Sequence, residues 1–419
     1  MKILRSSIFH TPANAFTTPT ALVSWDDGAL AVEAGKIAAC GDFATVRAAH
    51  PDAEVRDLRD GFILPGFIDT HIHFPQVRIV GGLGYSLLDW LDQLTLPEEA
   101  RLADPAYART IASEFVQNLA AHGTTTALVF GAHFADATAT LFEVAAAKGL
   151  RVISGLVLSD RLLRPELLQT PEVAYRESRR LIEGIRGNPR LGYAVIPRFA
   201  LSAGEPMLEV CQTLLREEPE ALFTTHINEN PREIEEVAAS FRWAEDYLAV
   251  YEWFGLISRR AVLAHDVHVT DAQLHRLARA KASIAHCPCS NAALGSGIFP
   301  LRRHLDNGVR VALGTDVGGG IGFGMMKEAL QAYLLQRVAP DPVTLSAGQL
   351  LYLATRAGAE ALNMSDKTGD FSPGKSADFN YLQPPVGDRR FGLSEILTLA
   401  DASWVKEVYV EGDLVHDHG

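Results

Sequence analysis

The sequence predicts a (β/α)8 barrel with a small β-sandwich assembled from the two ends of the chain. Three observations carry this reading. Eight apolar, β-rich stretches run through the middle of the 419-residue chain and alternate with helical patterning, which argues for a parallel sheet. Six of the eight stop at a side chain able to bind a metal, move a proton or grip a polar ligand. Short strand-like pieces, punctuated by turn residues, occupy both ends of the chain. In a barrel of this class the strand ends of one polarity share one face, and catalysis happens there, so residues remote in sequence converge. The length suits a barrel of about 250 residues with an accessory domain.

Residues 1–62 supply Ala29–Val32, Lys36–Cys40 and Glu54–Leu58, separated by turn signals such as Asp26-Asp27-Gly28 and Ala34-Gly35. The eight barrel stretches are Ile63–Thr70, Thr124–Phe130, Arg151–Leu158, Leu191–Phe199, Ala221–Asn228, Ala261–Val267, Lys281–Pro288 and Val309–Asp316. Phe74–Ala103 is long for a strand-to-helix connection and contains Gly81-Gly82-Leu83-Gly84 and Trp90, so it reads as a lid. Asp104–His122 has the grammar of a helix: Asp104 at the N-cap, Pro105 in the first position, Gly123 just past the end. Ser346–Leu362 reads as one further helix, and Ala377–Leu382, Lys406–Val410 and Asp413–Val415 return to strand texture. The expected division is 1–62 and 365–419 for the two parts of the sandwich, with 63–364 as the barrel.

Composition narrows the function. The chain is 47% hydrophobic and 21% charged, ordinary for a soluble globular protein. A net charge of −13 with no basic stripe argues against a nucleic-acid partner, though a free nucleobase, small and nearly neutral, is compatible. No run of 18 apolar residues is present, so no membrane span is expected. Ser6, Ser7, His10 and Thr11 interrupt the N-terminal stretch and argue against a signal peptide. Cys40, Cys211, Cys287 and Cys289 have no disulfide spacing, which fits a reducing compartment, and a cytoplasmic location is expected.

The strand-end groups are the pair His71/His73, then Arg198, His226, His265, His286 and Asp316. Imidazoles with a carboxylate form a metal-site inventory, which points to a metal-dependent hydrolytic enzyme. Alternate side chains of an extended chain share a face, so His71 and His73 can reach one ion. Taken alone, a bare H-x-H more often describes two surface or capping histidines, and Asp316 also fits a helix N-cap, though its place in Gly-Thr-Asp at a strand end favours ligation. Cys287-Pro288-Cys289 lacks further cysteines nearby and is no metal motif.

The longer string Pro65-Gly66-Phe67-Ile68-Asp69-Thr70-His71-Ile72-His73 resembles the amidohydrolase superfamily. The extension Phe74-Pro75-Gln76 narrows that resemblance to the guanine deaminases within it. Further matching segments keep their order. They are Trp90-Leu91 through Leu96-Pro97, Pro197-Arg198-Phe199, Thr225-His226-Ile227-Asn228-Glu229, His286-Cys287-Pro288 with Ser290-Asn291, Gly314-Thr315-Asp316, and Pro373-Gly374-Lys375-Ser376-Ala377-Asp378. Cys289 departs from the pattern, where a polar residue such as Asn is expected.

The resemblance implies one Zn²⁺ per chain, held by His71, His73, His226 and Asp316, with iron as the rival metal. The usual bridging lysine of two-metal relatives has no counterpart, since no lysine lies between Lys148 and Lys281. It implies that a zinc-activated water attacks C2 of guanine to give xanthine and ammonia, in purine catabolism. Glu229 is the expected proton shuttle, His265 the polarising group, and Asp316 an acceptor for the first proton. Gln76 and Arg198 are expected to read the purine edge, with His226 and Glu229 also touching substrate; Phe199 either stacks on the base or packs in the barrel. His286 is not among the ligands that the resemblance implies, and reads as structural support. A homodimer is implied as well. The rival substrates on this scaffold are cytosine, triazines and 8-oxoguanine; a metal-free scaffold protein is the reading of a different class.

Overall fold

The computed structural model describes residues 1–385 and 391–418. Two sheets organise it. The first has seven strands: β1 (Lys2–His10), β2 (Val23–Glu33), β3 (Lys36–Asp42) and β4 (Glu54–Pro65) from the beginning of the chain, and β14 (Phe379–Leu382), β15 (Val405–Val410) and β16 (Asp413–Asp417) from the end, in the order β16-β15-β14-β4-β1-β2-β3. The expected sandwich is thus one continuous mixed sheet whose seam is β4 against β14, with Pro65 opposite Phe379. Strand β1 did not register in the sequence, because Ser6 and Ser7 break its apolar run. In the structure Ser6 Oγ donates to the Leu58 and Gly61 carbonyls, 2.9 Å each, which satisfies the hydroxyl inside the sheet.

The second sheet is parallel: β5 (Phe67–His73), β6 (Thr124–Phe130), β7 (Arg151–Gly155) with its short continuation β8 (Val157–Leu158), β9 (Leu191–Pro197), β10 (Leu222–Ile227), β11 (Ala261–His265), β12 (Ser283–His286) and β13 (Arg310–Leu313). Counting β7 and β8 as one stave, it has the eight expected strands, each near its predicted place. It nearly closes. Thr70 Oγ1 donates to the Leu313 carbonyl (2.8 Å), Asp316 N to His71 O (2.8 Å) and His73 N to Val317 O (3.0 Å). Buried Asp69 locks the same seam by accepting from Thr315 Oγ1 (2.5 Å) and Thr315 N (3.1 Å).

Three boundaries differ from expectation for local reasons. The stretch Ile63–Thr70 is two strands, because the chain crosses between sheets at Gly66, where a Cβ would sit 2.2 Å from Thr125 Oγ1. Strand β5 also continues through His71 and His73, which the sequence placed just beyond it. The stretch Ser346–Leu362 is two helices, Ala347–Ala354 and Arg356–Ala361, broken where Thr355 Oγ1 donates back to Leu351 O at 2.6 Å. The helix Pro105–Ala121 matches its predicted caps: Asp104 accepts from Ala106 N, and Gly123 follows at φ 80°. Phe74–Ala103 is a chain of short helical turns, including Leu87–Trp90 and Leu96–Ala100, rather than an open loop. No helix among the described residues is long and apolar enough to cross a membrane.

The two sheets are riveted by one buried ion pair. Arg151, at the start of β7, donates to Asp378 Oδ2 at 2.6 Å, and Asp378 also accepts from Thr368 Oγ1, Ser376 Oγ and Glu411 N.

Candidate active site

Strand geometry gathers the predicted ligands in one region, although the most compact four-residue group takes in His265 and leaves out His73. On β5, His71 and His73 project to the same side, with their Nε2 atoms 3.3 Å apart. Asp316 lies just past β13, and its Oδ1 is 3.3 Å from each of those nitrogens. This triangle tests the fit of a metal. Ligands about 2.1 Å from a tetrahedral zinc lie about 3.4 Å from one another. His226, the penultimate residue of β10, holds its Nδ1 against Arg198 O at 2.6 Å, which leaves Nε2 for the site. Donor atoms of His71, His226, His265 and Asp316 all lie within 4.8 Å of one another.

His265, which ends β11, is aimed by Asn291: its Nδ1 lies 2.9 Å from Asn291 Oδ1. The buried Nε2 has no hydrogen-bond partner and faces Glu229 Oε2 at 3.5 Å and Asp316 Oδ2 at 3.8 Å. His265 and Asp316 hold φ of 75° and 49°, so the chain turns sharply where each side chain enters the site. Burial keeps His73 neutral, with its pKa drawn down to about 4, and burial plus the neighbouring imidazoles push His226 down as well. Burial opposes ionisation of Asp316, yet hydrogen bonds from His71 and His73 hold its carboxyl well below the usual range. Neutral imidazoles with an ionised carboxylate are the protonation states that metal ligation requires.

Phe130, the last residue of β6, is the platform under this cluster. Its ring centroid lies 4.9, 4.5 and 4.7 Å from those of His71, His73 and His226. The sequence marked it only as the end of an apolar run.

A cavity opens beside the histidines. Polar groups Gln76, Arg198, His226, Glu229, His265 and Asp316 meet there with apolar walls that include Trp90 and Phe199. All the residues expected to bind substrate therefore line one space. Phe199 lines it while its centroid lies 6.4 Å from that of His226, so wall and packing roles coincide.

Glu229 is nearly inaccessible, at 2% exposure, and accepts from Ser296 Oγ at 3.1 Å. Burial, reinforced by Asp316, raises its carboxyl to about 8. Behind it, Glu233 accepts from the Glu229 backbone N (3.1 Å) and from Tyr247 OH (2.7 Å), fixing the turn that presents Glu229.

His286 stands apart. Its ring stacks on Phe299 at 4.3 Å, both ring nitrogens lack partners, and it does not join the metal group. Cys287 and Cys289 are buried free thiols, and Cys289 N donates to Glu328 Oε2 at 3.1 Å. Besides Phe130, Glu99 and His133 escaped sequence reasoning. Glu99, 3% exposed, accepts from Gln76 Nε2 at 2.8 Å and from Arg198 Nη1 at 2.8 and 2.7 Å. His133 Nε2 lies 3.3 Å from the same carboxylate.

The chain is similar to known proteins along its whole length. Residues 62–415 match the amidohydrolase family, and residues 28–53 match a bacterial imidazolonepropionase-like composite domain. A probable guanine deaminase of Deinococcus radiodurans is 56% identical over 99% of this chain and 98% of its own. The solved E. coli guanine deaminase superposes with a TM-score of 0.95 at 38% identity, covering 100% of both chains. The guanine deaminase of C. acetobutylicum, solved with guanine in its active site, gives a TM-score of 0.91 at 25% identity, covering 99% of this chain and 100% of that one.

Proposed function

This chain belongs to the amidohydrolase family, and we propose that it removes the amino group of guanine hydrolytically, releasing xanthine and ammonia. The observation that carries the reading is the cavity in which Arg198 and Gln76 face the cluster of His71, His73, His226, His265 and Asp316. Relatives along the whole chain bear the same activity in their names.

His71, His73, His226 and Asp316 would hold a single zinc ion, which supplies Lewis acidity and an acidified water when bound. The protein's own groups do the rest. Arg198 has donors only, so it favours the O6 carbonyl of guanine and repels the amino group that adenine carries there. Gln76 offers a donor and an acceptor to the ring edge. Glu229 delivers a proton to ring N3, a task suited to a carboxyl raised by burial. His265, fixed by Asn291, aims its free nitrogen into the site, where it can hold the attacking water oxygen in line with C2. The largely apolar wall limits the contact of bulk water with C2. We place this activity in the cytoplasm, in purine catabolism, and in a homodimer.

The test is ammonia release from a panel of guanine, adenine, cytosine, guanosine, 8-oxoguanine and ammeline. Guanine should exceed every other ring in kcat/KM by at least about tenfold. Preference for any other member overturns the assignment. Metal analysis of the same sample should return about one ion per chain.

A further inference from the structure

We infer that Glu99 is the positioning residue that sets the guanine-reading edge of the cavity. The inference rests on the proposed function. The carboxylate sits between the two ring readers without lining the cavity itself. Oε1 accepts from Gln76 Nε2 (2.8 Å) and Arg198 Nη1 (2.8 Å); Oε2 accepts from Arg198 Nη1 (2.7 Å) and faces His133 Nε2 (3.3 Å). Both oxygens are therefore engaged by protein groups, and the carboxylate is held behind the two readers.

Its effect on the readers follows from which atoms it takes. The Glu99 bonds use Nη1 alone, so the remainder of the Arg198 fork is left for a ligand. Gln76 is pinned at both ends of its amide: Nε2 donates to Glu99, and Oε1 accepts from Gly318 N at 3.0 Å. The amide cannot flip without placing an oxygen against the carboxylate, so which edge of a ring it matches is fixed before binding. Burial alone would neutralise Glu99, yet Arg198 and His133 hold its carboxyl well below the usual range. The buried guanidinium is thereby compensated by the protein itself, and a carbonyl ligand adds bonds to it without having to supply charge.

Glu99→Gln tests this. An amide keeps the size and one acceptor oxygen, but it removes the charge and sets an N–H₂ against Arg198 Nη1 or Gln76 Nε2, so at least one reader loses its contact and the guanidinium loses its counter-charge. Metal content should be unchanged, because no ligand is touched. KM for guanine should rise at least about tenfold, and the inhibition constant of the product xanthine, which has the same O6 carbonyl, should rise in parallel. Glu99→Asp keeps the charge and should recover part of both; it also serves if the amide variant folds poorly. In an Arg198→Ala background, adding Glu99→Gln should change kcat/KM by less than about threefold, since the group through which Glu99 acts is gone. Unchanged KM and xanthine inhibition in Glu99→Gln, or full additivity in the double variant, overturns the assignment. Wild-type protein that releases no ammonia from guanine overturns the functional reading instead, which separates the two failures.

Discussion

Replacing Phe130 with alanine should weaken both the barrel and its grip on metal. The phenyl ring is fully buried and touches three of the proposed ligand imidazoles at centroid distances of 4.5 to 4.9 Å. Truncating a buried phenylalanine costs about 3–5 kcal/mol through lost burial and the cavity left behind. Aromatic contacts each add about 0.5–1.5 kcal/mol, so three of them place this site in the upper half of that range. Phe130→Leu retains most of the volume and should cost only about 1–1.5 kcal/mol. Released from the ring, the imidazoles gain freedom, and loss of such support typically lowers metal affinity about 10- to 100-fold. Urea unfolding of metal-stripped protein reads the packing cost alone, because bound metal would add its own stabilisation. Chelator competition on the loaded protein then reads metal affinity. The order should be wild type, leucine, alanine in both assays. An alanine variant that loses less than about 1 kcal/mol and keeps its metal as tightly as wild type would refute the platform role.

Other consequences are equally direct. Glu229→Gln should preserve metal and guanine binding while kcat falls roughly 10²- to 10⁴-fold, read by steady-state kinetics with metal content confirmed. Arg151→Ala strands the buried carboxylate of Asp378 and should cost about 3–5 kcal/mol by urea midpoint, with Asp378→Asn in the same chain restoring part of the loss. His10 accepts a hydrogen bond from Phe371 N at Nδ1 (3.2 Å), and burial draws its pKa down to about 4. Its stabilisation is therefore complete above about pH 6.5, the unfolded value, and is lost as pH falls towards 4. The loss should approach about 1.4 kcal/mol per pH unit. His10→Asn, which still offers an acceptor, should flatten that part of a stability-versus-pH curve.

The barrel was legible because buried parallel strands are uniform apolar runs, and because its chemistry sits where those runs stop. His71, His73, His226, His265 and Asp316 could each be placed by that rule. Glu99 could not. Glu98 and Glu99 are adjacent on a short helix, and only the rotation of that turn sends Glu99 inward to Arg198 while Glu98 meets Arg101 and Tyr107. Phe130 was hidden for the opposite reason, since an apolar residue at a strand end looks the same whether it packs a core or supports a ligand. The strand break at Gly66 depends on Thr125, a contact between segments that no local pattern records. His133 carries no spacing signal towards Glu99 at all.

On the ribosome, β1 to β4 emerge before any barrel strand, yet β4 cannot gain its second neighbour until Phe379–Leu382 has been synthesised. The nascent chain thus carries an open strand edge through the whole period of barrel synthesis, and such edges recruit other chains. Arg151 waits equally long for Asp378. Pairing across so much intervening sequence is slow, because loop-closure entropy must be overcome before the contacts form. Chains released before β14 should accumulate as aggregates that holding chaperones capture, whereas the full-length chain covers β4 with β14.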